Sequence, residues 1–324
     1  MSIHSVYHVP GIVVALLLTL APISALSQYT VRSPYLADPT LAIGYVDSCA
    51  AFWEKAHDSL NGGFFTNIGR SGNVKTPYDK YLLSQTRNAY GFVRAFMLTG
   101  KERYLTMARR ALDFMYWHHW DTTRGGWITM VDRFGGQTSA GWQKTAFDQH
   151  YALLGPSAYV EATQDTLDRA WLNDGYESNE THLWDSGPGT EGYFDNASAD
   201  WTGRTGKSFN ATVDAVTTHL LTMYLMTQDA LYEARLKQLA DQMVQRFAGT
   251  MGQQRIGIVE MFSTDWSWNN NTANYNTRTI MGHVLKTAWC LGRIHQLFPD
   301  PLYVATAESL MNDVLAKGYD HHYE

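Results

Sequence analysis

Cysteine is scarce: Cys49 and Cys290 are the two in 324 residues. That number excludes a disulfide framework and a cysteine-built zinc site, and it leaves open whether the two pair in an oxidising compartment or stay as buried thiols. Charge is scarce too, at 17% of residues, and Lys and Arg never gather into a run. With a formal net charge of -6 the chain offers no basic face to phosphates, which excludes a nucleic-acid binder. A glycine-rich βαβ fingerprint is missing as well, so a parallel-sheet fold is not expected. What the chain does have is aromatic. Its 11 Trp and 19 Tyr against 25 Lys and Arg predict a binding surface that is aromatic and neutral. At 45% hydrophobic residues it can bury a core, unlike a disordered segment.

Gly11 to Ala25 is an almost unbroken apolar run, about 15 residues long and short of the roughly 20 that span a bilayer as a helix. Pro22 breaks it, and Ala25-Leu26-Ser27 presents small residues where a signal peptidase cuts. Residues 1–27 are therefore expected to be a secretory signal peptide and 28–324 the secreted domain, with no membrane attachment after cleavage. Met1 to Pro10 carries no Lys or Arg, which keeps an uncleaved anchor as the rival reading. Glycosylation triplets begin at Asn179, Asn196, Asn210 and Asn270, in keeping with export.

An aromatic glycine motif recurs along the chain. Asn61-Gly-Gly-Phe-Phe, Arg124-Gly-Gly-Trp-Ile, Glu191-Gly-Tyr-Phe and Gly257-Ile-Val-Glu-Met-Phe are separated by roughly the length of two helices with their connections. A fifth begins at Gly318. The intervals have helical periodicity. From Arg103 to Trp120, Leu105, Ala108, Ala111, Leu112, Met115 and Tyr116 share one face, and Leu231 to Phe247 repeats this with Leu236, Leu239, Ala240, Met243 and Val244. Leu82 to Leu98, Ala146 to Ala162, Ala211 to Met226 and Ile280 to Leu297 are apolar around more of their circumference, so these belong inside and the amphipathic ones outside. The pattern predicts helices at about 42–60, 79–99, 102–120, 143–164, 167–175, 210–228, 230–248, 277–298 and 300–317. Alternating inner and outer helices in hairpin pairs predict an all-α fold, an (α/α)6 toroid with short β-hairpin loops at one end. A closed toroid has six pairs, so residues 28–324 are expected to hold about nine of twelve helices.

In such a toroid the loops and the starts of the inner helices surround a concave pocket. The polar residues placed there are Gln85-Thr-Arg87, Trp142-Gln-Lys144 with Asp148 and His150, Asp214 with His219, and Gly282-His283 with Lys286. Their order carries a family likeness. Gln85-Thr-Arg-Asn-Ala-Tyr-Gly-Phe, Leu98-Thr-Gly-Lys-Glu-Arg-Tyr-Leu, Gly125-Gly-Trp, Lys144-Thr-Ala-Phe-Asp-Gln-His-Tyr, Thr218-His219-Leu-Leu and Gly282-His283-Val-Leu-Lys-Thr-Ala-Trp289 together resemble the N-acylglucosamine 2-epimerase superfamily, which includes cellobiose 2-epimerases and mannose or sulfoquinovose isomerases.

The resemblance implies a reducing sugar as substrate, neither metal nor cofactor, and proton transfer at C2 through an enediolate. Histidine suits that transfer because it titrates near neutrality. By the family's positions, His283 is one acid/base residue, His219 assists ring opening or holds a sugar oxygen, and Arg87 supplies the fixed charge an enediolate oxygen needs. Trp142 and Trp127 are expected to stack on sugar faces, as are Phe147 and Trp289, while Asp148, Asp214 and Lys286 contact substrate. Asp148 and Asp214 could instead cap helices or pair with Lys144.

Three departures from the family pattern stand out. Lys286 occupies a position where an acidic residue commonly orients the imidazole, and a protonated lysine cannot accept that hydrogen bond. It is expected to bind an anionic sugar group or to pair with Asp214 or Asp148. Ala215 replaces an asparagine. The family's second acid/base histidine and a tryptophan-rich loop lie beyond the last hairpin, so they are expected to be missing here. Two other readings accompany the isomerase: a glycoside hydrolase using paired carboxylates from Asp148, Asp214, Glu191 or Glu260, and a non-catalytic carbohydrate-binding protein.

Overall fold

Aspartates start several helices by accepting hydrogen bonds from backbone N–H groups that the first turn leaves unpaired. Asp165 does so for α7 (Thr166–His182), Asp229 for α10 (Ala230–Gln242) and Asp300 for α12 (Pro301–Lys317). The computed structural model describes residues 33–138, 143–248, 257–268, 279–320 and 322. The expected signal segment, Trp142 and Asn270 lie outside these. The chain divides into two compact units, Met1–Ala42 and Ile43–Glu324. In the first, the described residues form α1 (Pro34–Ala37) and the opening of α2 (Pro39–Trp53).

The second unit carries the expected helices. After α2 come α3 (Leu82–Thr99), α4 (Glu102–His118), α5 (Ala146–Ala152), α6 (Leu154–Thr163) and α7. Then follow α8 (Phe209–Ala215), a π-helical segment Val216–Leu220, α9 (Leu221–Thr227), α10, α11 (Met281–Leu297) and α12. The predicted inner helices are α3, α5 with α6, α8 with α9, and α11; α3 packs on both its outer partner α4 and the next inner helix α6. The outer stripes are as predicted: Ala108, Ala111, Leu112 and Met115 of α4 and Leu236, Leu239 and Ala240 of α10 are all fully buried. Several boundaries differ: α2 ends at Trp53, followed by a 3-10 turn at Glu54–Ala56, short of the predicted 60, and the helix predicted at 143–164 begins at Ala146 and breaks at Leu153. α7 continues to His182, past the predicted end at 175, because Tyr176 and Asn179 turn inward and hold its last turns on the core.

The strands are two residues each and link successive loops. β1 (Lys80–Tyr81) pairs with β2 (Met130–Val131), β3 (Lys144–Thr145) with β6 (Asn196–Ala197), and β7 (Lys207–Ser208) with β8 (Met261–Phe262), all antiparallel. β4 (Trp184–Asp185) and β5 (Gly192–Tyr193) instead pair within one loop.

A buried ionic clip fixes three of the loops. Lys80 Nζ is 3.0 Å from Asp58, Lys144 Nζ 2.9 Å from Asp121, and Lys207 Nζ 3.0 Å from Asp185. Each ammonium also donates to a glycine carbonyl, of Gly62, Gly125 and Gly192 in turn. Burial pulls all three ammonium pKa values down, and the aspartate beside each one opposes it. Five residues past the first two lysines, Gln85 and Gln149 grip the loop aromatics, each accepting from and donating to the backbone of Phe64 and Trp127 respectively. Gly63 and Gly126 are required here. Both have positive φ, 65° and 74°, and a Cβ at Gly126 would lie 2.3 Å from the Trp201 ring. Lys144 therefore pairs with Asp121, not with Asp148 or Asp214.

Candidate active site

Two inner helices start at hydroxyl caps that also bind carboxylates. Thr145 Oγ1 accepts from the Asp148 backbone N–H at 3.1 Å and donates to Asp148 Oδ2 at 2.8 Å, a reciprocal cap at the start of α5. Thr129 Oγ1 donates to the same Oδ2 at 2.9 Å. Burial raises the Asp148 pKa, opposed by these two hydroxyls and by Arg87. Ser208 caps α8 by accepting from Ala211 N–H, and it donates to Asp195 Oδ1. Asn196 donates to Asp195 Oδ2 at 2.7 Å. Burial raises the Asp195 pKa as well.

His283 sits in the first turn of α11. Its Nδ1 lies 2.8 Å from Glu260 Oε2, and Glu260 is 2% exposed. The imidazole stacks on Phe209, with centroids 4.0 Å apart and planes 11° from parallel. Glu260 is itself held in place, because its carbonyl accepts from the Phe209 N–H at 2.8 Å. The carboxylate missing from position 286 is thus replaced from a different element, the loop entering β8. With Nδ1–H donated to Glu260, Nε2 carries the lone pair of a base.

One turn on, Lys286 pairs with Asp214 of α8, one of the two aspartates expected for it. Burial raises the Asp214 pKa, with Lys286 opposing; for Lys286, burial lowers the value but Asp214 overrules it. The Tyr151 ring has two cations near it, with the Arg87 guanidinium 4.5 Å and Lys286 Nζ 5.6 Å from its centroid. Among the described residues Arg87 forms no ion pair. A cavity of about 300 Å³ opens between these walls, lined by Phe147 and Asp148 of α5, Asp195, Asn196, Phe209, Asn210, Glu260 and Met261. Such a volume is at the small end of ligand sites. Among the described residues no group of three His, Cys, Asp or Glu could hold a metal, and no helix is long and apolar enough to cross a membrane.

Of the expected residues, Asp148 lines this cavity and His283 adjoins it through Glu260 and Phe209; Asp214 and Lys286 pair one turn further on, and Arg87 lines a separate cavity of about 550 Å³ with Trp53 and Phe65. Two expectations are corrected by burial. Trp127 has no exposed surface and packs among Trp120, Tyr116 and Trp171, so it has no face for a sugar. His219 is 1% exposed, stacked near His150, with Nδ1 against Thr218. Burial pushes its pKa far down, and that of His150 to about 3. Trp142 lies outside the described residues. Trp289 is half-exposed and borders a separate cavity with Tyr90 and Arg293. Glu191 is exposed, and its carbonyl, rather than its carboxylate, serves the fold by accepting from Trp266 and Gln242. Asn179 is fully buried and donates to the Gln149 carbonyl, which closes it to glycosylation in the folded chain. Cys49 and Cys290 are free thiols. Sequence reasoning missed Asp195 and Tyr151. Tyr151 falls one turn after Phe147 on the same helix, so its position was available from spacing alone.

This arrangement of inner-helix polar residues beneath interlocked loops has known relatives. Residues 63–324 match the N-acylglucosamine 2-epimerase (GlcNAc 2-epimerase) family, and the chain belongs to it. Among individual proteins, it is 25% identical over 295 residues to the D-mannose isomerase of Marinomonas mediterranea, covering 89% of this chain and 72% of the relative. A crystal structure of a D-mannose isomerase superposes with a TM-score of 0.79 at 22% identity, over 90% of this chain and 74% of that one. The α-1,6-mannanase of Salegentibacter, a family 76 glycoside hydrolase, superposes at 0.61 with 14% identity, over 86% and 71%. At these identities the structural likenesses show the fold, the (α/α)6 toroid class.

Proposed function

We propose that this protein moves a proton between C2 and C1 of a reducing sugar, interconverting an aldose and its ketose through an enediolate. One observation carries the reading: an imidazole fixed through Nδ1 to a buried glutamate and flat against Phe209, which leaves Nε2 of His283 as a base beside the cavity that Glu260 and Phe209 line. Arg87, whose charge acts on both Asp148 and Asp214, is the residue that would supply positive charge where the enediolate oxygens develop. His283 adjoins the cavity through Glu260 and Phe209, two of its lining residues. A single base that lifts the C2 proton and returns it to C1 on the same face gives a ketose. Inversion at C2 would need a second acid on the opposite face. Likeness to the D-mannose isomerase supports mannose as the first substrate to test.

The test uses aldoses deuterated at C2 and NMR of the products. Deuterium recovered at C1 of the ketose is expected. Failure of every reducing aldose either to form ketose or to exchange its C2 hydrogen in deuterated water would end the proposal. Glycoside hydrolysis is the second reading. It is favoured by three carboxylates, Asp148, Asp195 and Glu260, lining one cavity, and by fold likeness to the mannanase. New reducing ends released from α-1,6-mannan would establish it in place of the first. Export is proposed from the apolar run at Gly11 to Ala25, and N-terminal sequencing of secreted protein should begin at Gln28.

A further inference from the structure

Turning an aldose into a ketose requires two proton movements. The carbon-bound proton goes from C2 to C1, and the hydroxyl proton on O2 must end on O1. His283 Nε2 is suited to the first. The second needs a separate group that can touch two vicinal oxygens, accept a proton from one and release it to the other.

Four carboxylates lie at or beside the site, and their hydrogen bonds separate them. Asp195 has both oxygens engaged, by Ser208 and Asn196. Glu260 uses Oε2 for His283, and its Oε1 is buried without a partner among the described residues. Asp214 gives Oδ1 to Lys286, and its Oδ2 is likewise buried. Asp148 differs from all three. Thr129 and Thr145 both bond Oδ2, Oδ1 takes no hydrogen bond from the described residues, and the residue lines the cavity. Two hydroxyls on one oxygen fix the carboxylate plane and leave the other oxygen open.

We propose that Asp148 is the proton relay between the substrate's oxygens, an inference that rests on the isomerase reading above. His283 Nε2 takes the C2 proton, and the C2–H electron pair becomes the C1–C2 double bond of an enediolate with its charge on O1. Asp148 Oδ1 accepts the proton of O2–H and delivers it to O1. The O2 electron pair then forms the C2 carbonyl, the double-bond pair takes the proton back from His283 at C1, and both side chains end as they began. A carboxyl whose pKa burial has raised carries that proton in transit more readily than an ordinary aspartate would.

The relay acts after the C2 proton has been lost, so its removal should uncouple two readouts that a structural role would move together. With the full chain in deuterated water and an aldose turned over by the unaltered enzyme, C2 deuterium wash-in and ketose formation are followed by NMR. Asp148→Asn keeps an oxygen for the two threonines. It is expected to lower ketose formation about 100-fold while wash-in falls far less, so the ratio of wash-in to ketose rises at least about tenfold. His283→Gln should abolish both. An equal fall of both rates in a folded Asp148→Asn protein, or no fall in either, overturns the relay and leaves the isomerase reading standing. Absence of both ketose formation and wash-in with the unaltered enzyme overturns that reading itself. If Asp148→Asn does not fold, Thr129→Val frees one side of the carboxylate and should raise the same ratio severalfold; an unchanged ratio there refutes the relay.

Discussion

Glu260→Gln is a nearly isosteric change with a large expected effect. As a carboxylate 2.8 Å from His283 Nδ1, Glu260 can only accept, so it fixes the proton on Nδ1 and the lone pair on Nε2. A glutamine amide can donate instead. That places the lone pair on Nδ1 and the proton on Nε2, the wrong tautomer for a base. Glu260 is 2% exposed, so water does not compete for the contact. Replacing the carboxylate that orients a catalytic imidazole by its amide costs on the order of 10²- to 10⁴-fold in kcat, or about 3–5 kcal/mol. Glu260→Ala should be milder, about 10- to 100-fold, because the ring keeps its stacking on Phe209 at 4.0 Å and can reach either tautomer. The assay is C2 deuterium wash-in at saturating aldose, with thermal melting to confirm folding. A Gln variant within threefold of the unaltered enzyme, or an Ala variant worse than the Gln variant, would refute the tautomer argument.

Lys286→Met leaves Asp214, 1% exposed, as a buried charge without its partner, and should cost about 3 kcal/mol in urea unfolding. The double change with Asp214→Asn should recover most of that loss. His150 and His219 are held neutral in the folded chain, with His150 lowered to about 3, whereas unfolded histidine titrates near 6.5. Their stabilisation is full above that value and declines as pH falls below it, by about 1.4 kcal/mol per histidine at pH 5.5. His150→Gln should flatten the stability slope between pH 7.5 and 5.5 relative to the unaltered chain, and an identical slope would contradict the assignment. Gly126→Ala drives a Cβ to 2.3 Å from Trp201 at φ 74° and should destabilise by about 3 kcal/mol, read as a shifted denaturation midpoint.

The helices were legible because burial on one stripe or all round leaves a period in the chain. The recurrent Gly-Gly-aromatic motif located the loops for a physical reason, the left-handed turn at Gly63 and Gly126. Its meaning was less accessible. An aromatic after two glycines reads as a sugar platform, yet Trp127 turns inward because Gln149 grips its backbone. The buried clips left a signal, an aspartate followed by a lysine at 58 and 80, 121 and 144, and 185 and 207, which glycine-centred reasoning passed over. The Glu260 to His283 contact left none. Its partners lie on a loop and a helix whose approach is set by the β7–β8 pairing and the start of α8, so only the assembled fold brings them together. His219 misled for the opposite reason: a polar residue at an inner-helix position looks the same in sequence whether it faces a pocket or is sealed beneath it.

The lysines and strands of the loops point in opposite directions along the chain. Lys80, Lys144 and Lys207 reach back to an aspartate already synthesised, while the strands that carry them pair with residues not yet made, at Val131, Ala197 and Phe262. During translation each loop therefore emerges clamped on one side and open on the other until the next loop leaves the ribosome. An exposed strand edge of that kind invites pairing with the wrong chain, and two-residue strands keep the exposure small. The same offset constrains how such a protein could gain or lose a repeat by recombination. A cut between loops separates a strand from its mate, so a viable duplication has to carry the second half of one ribbon together with the first half of the next.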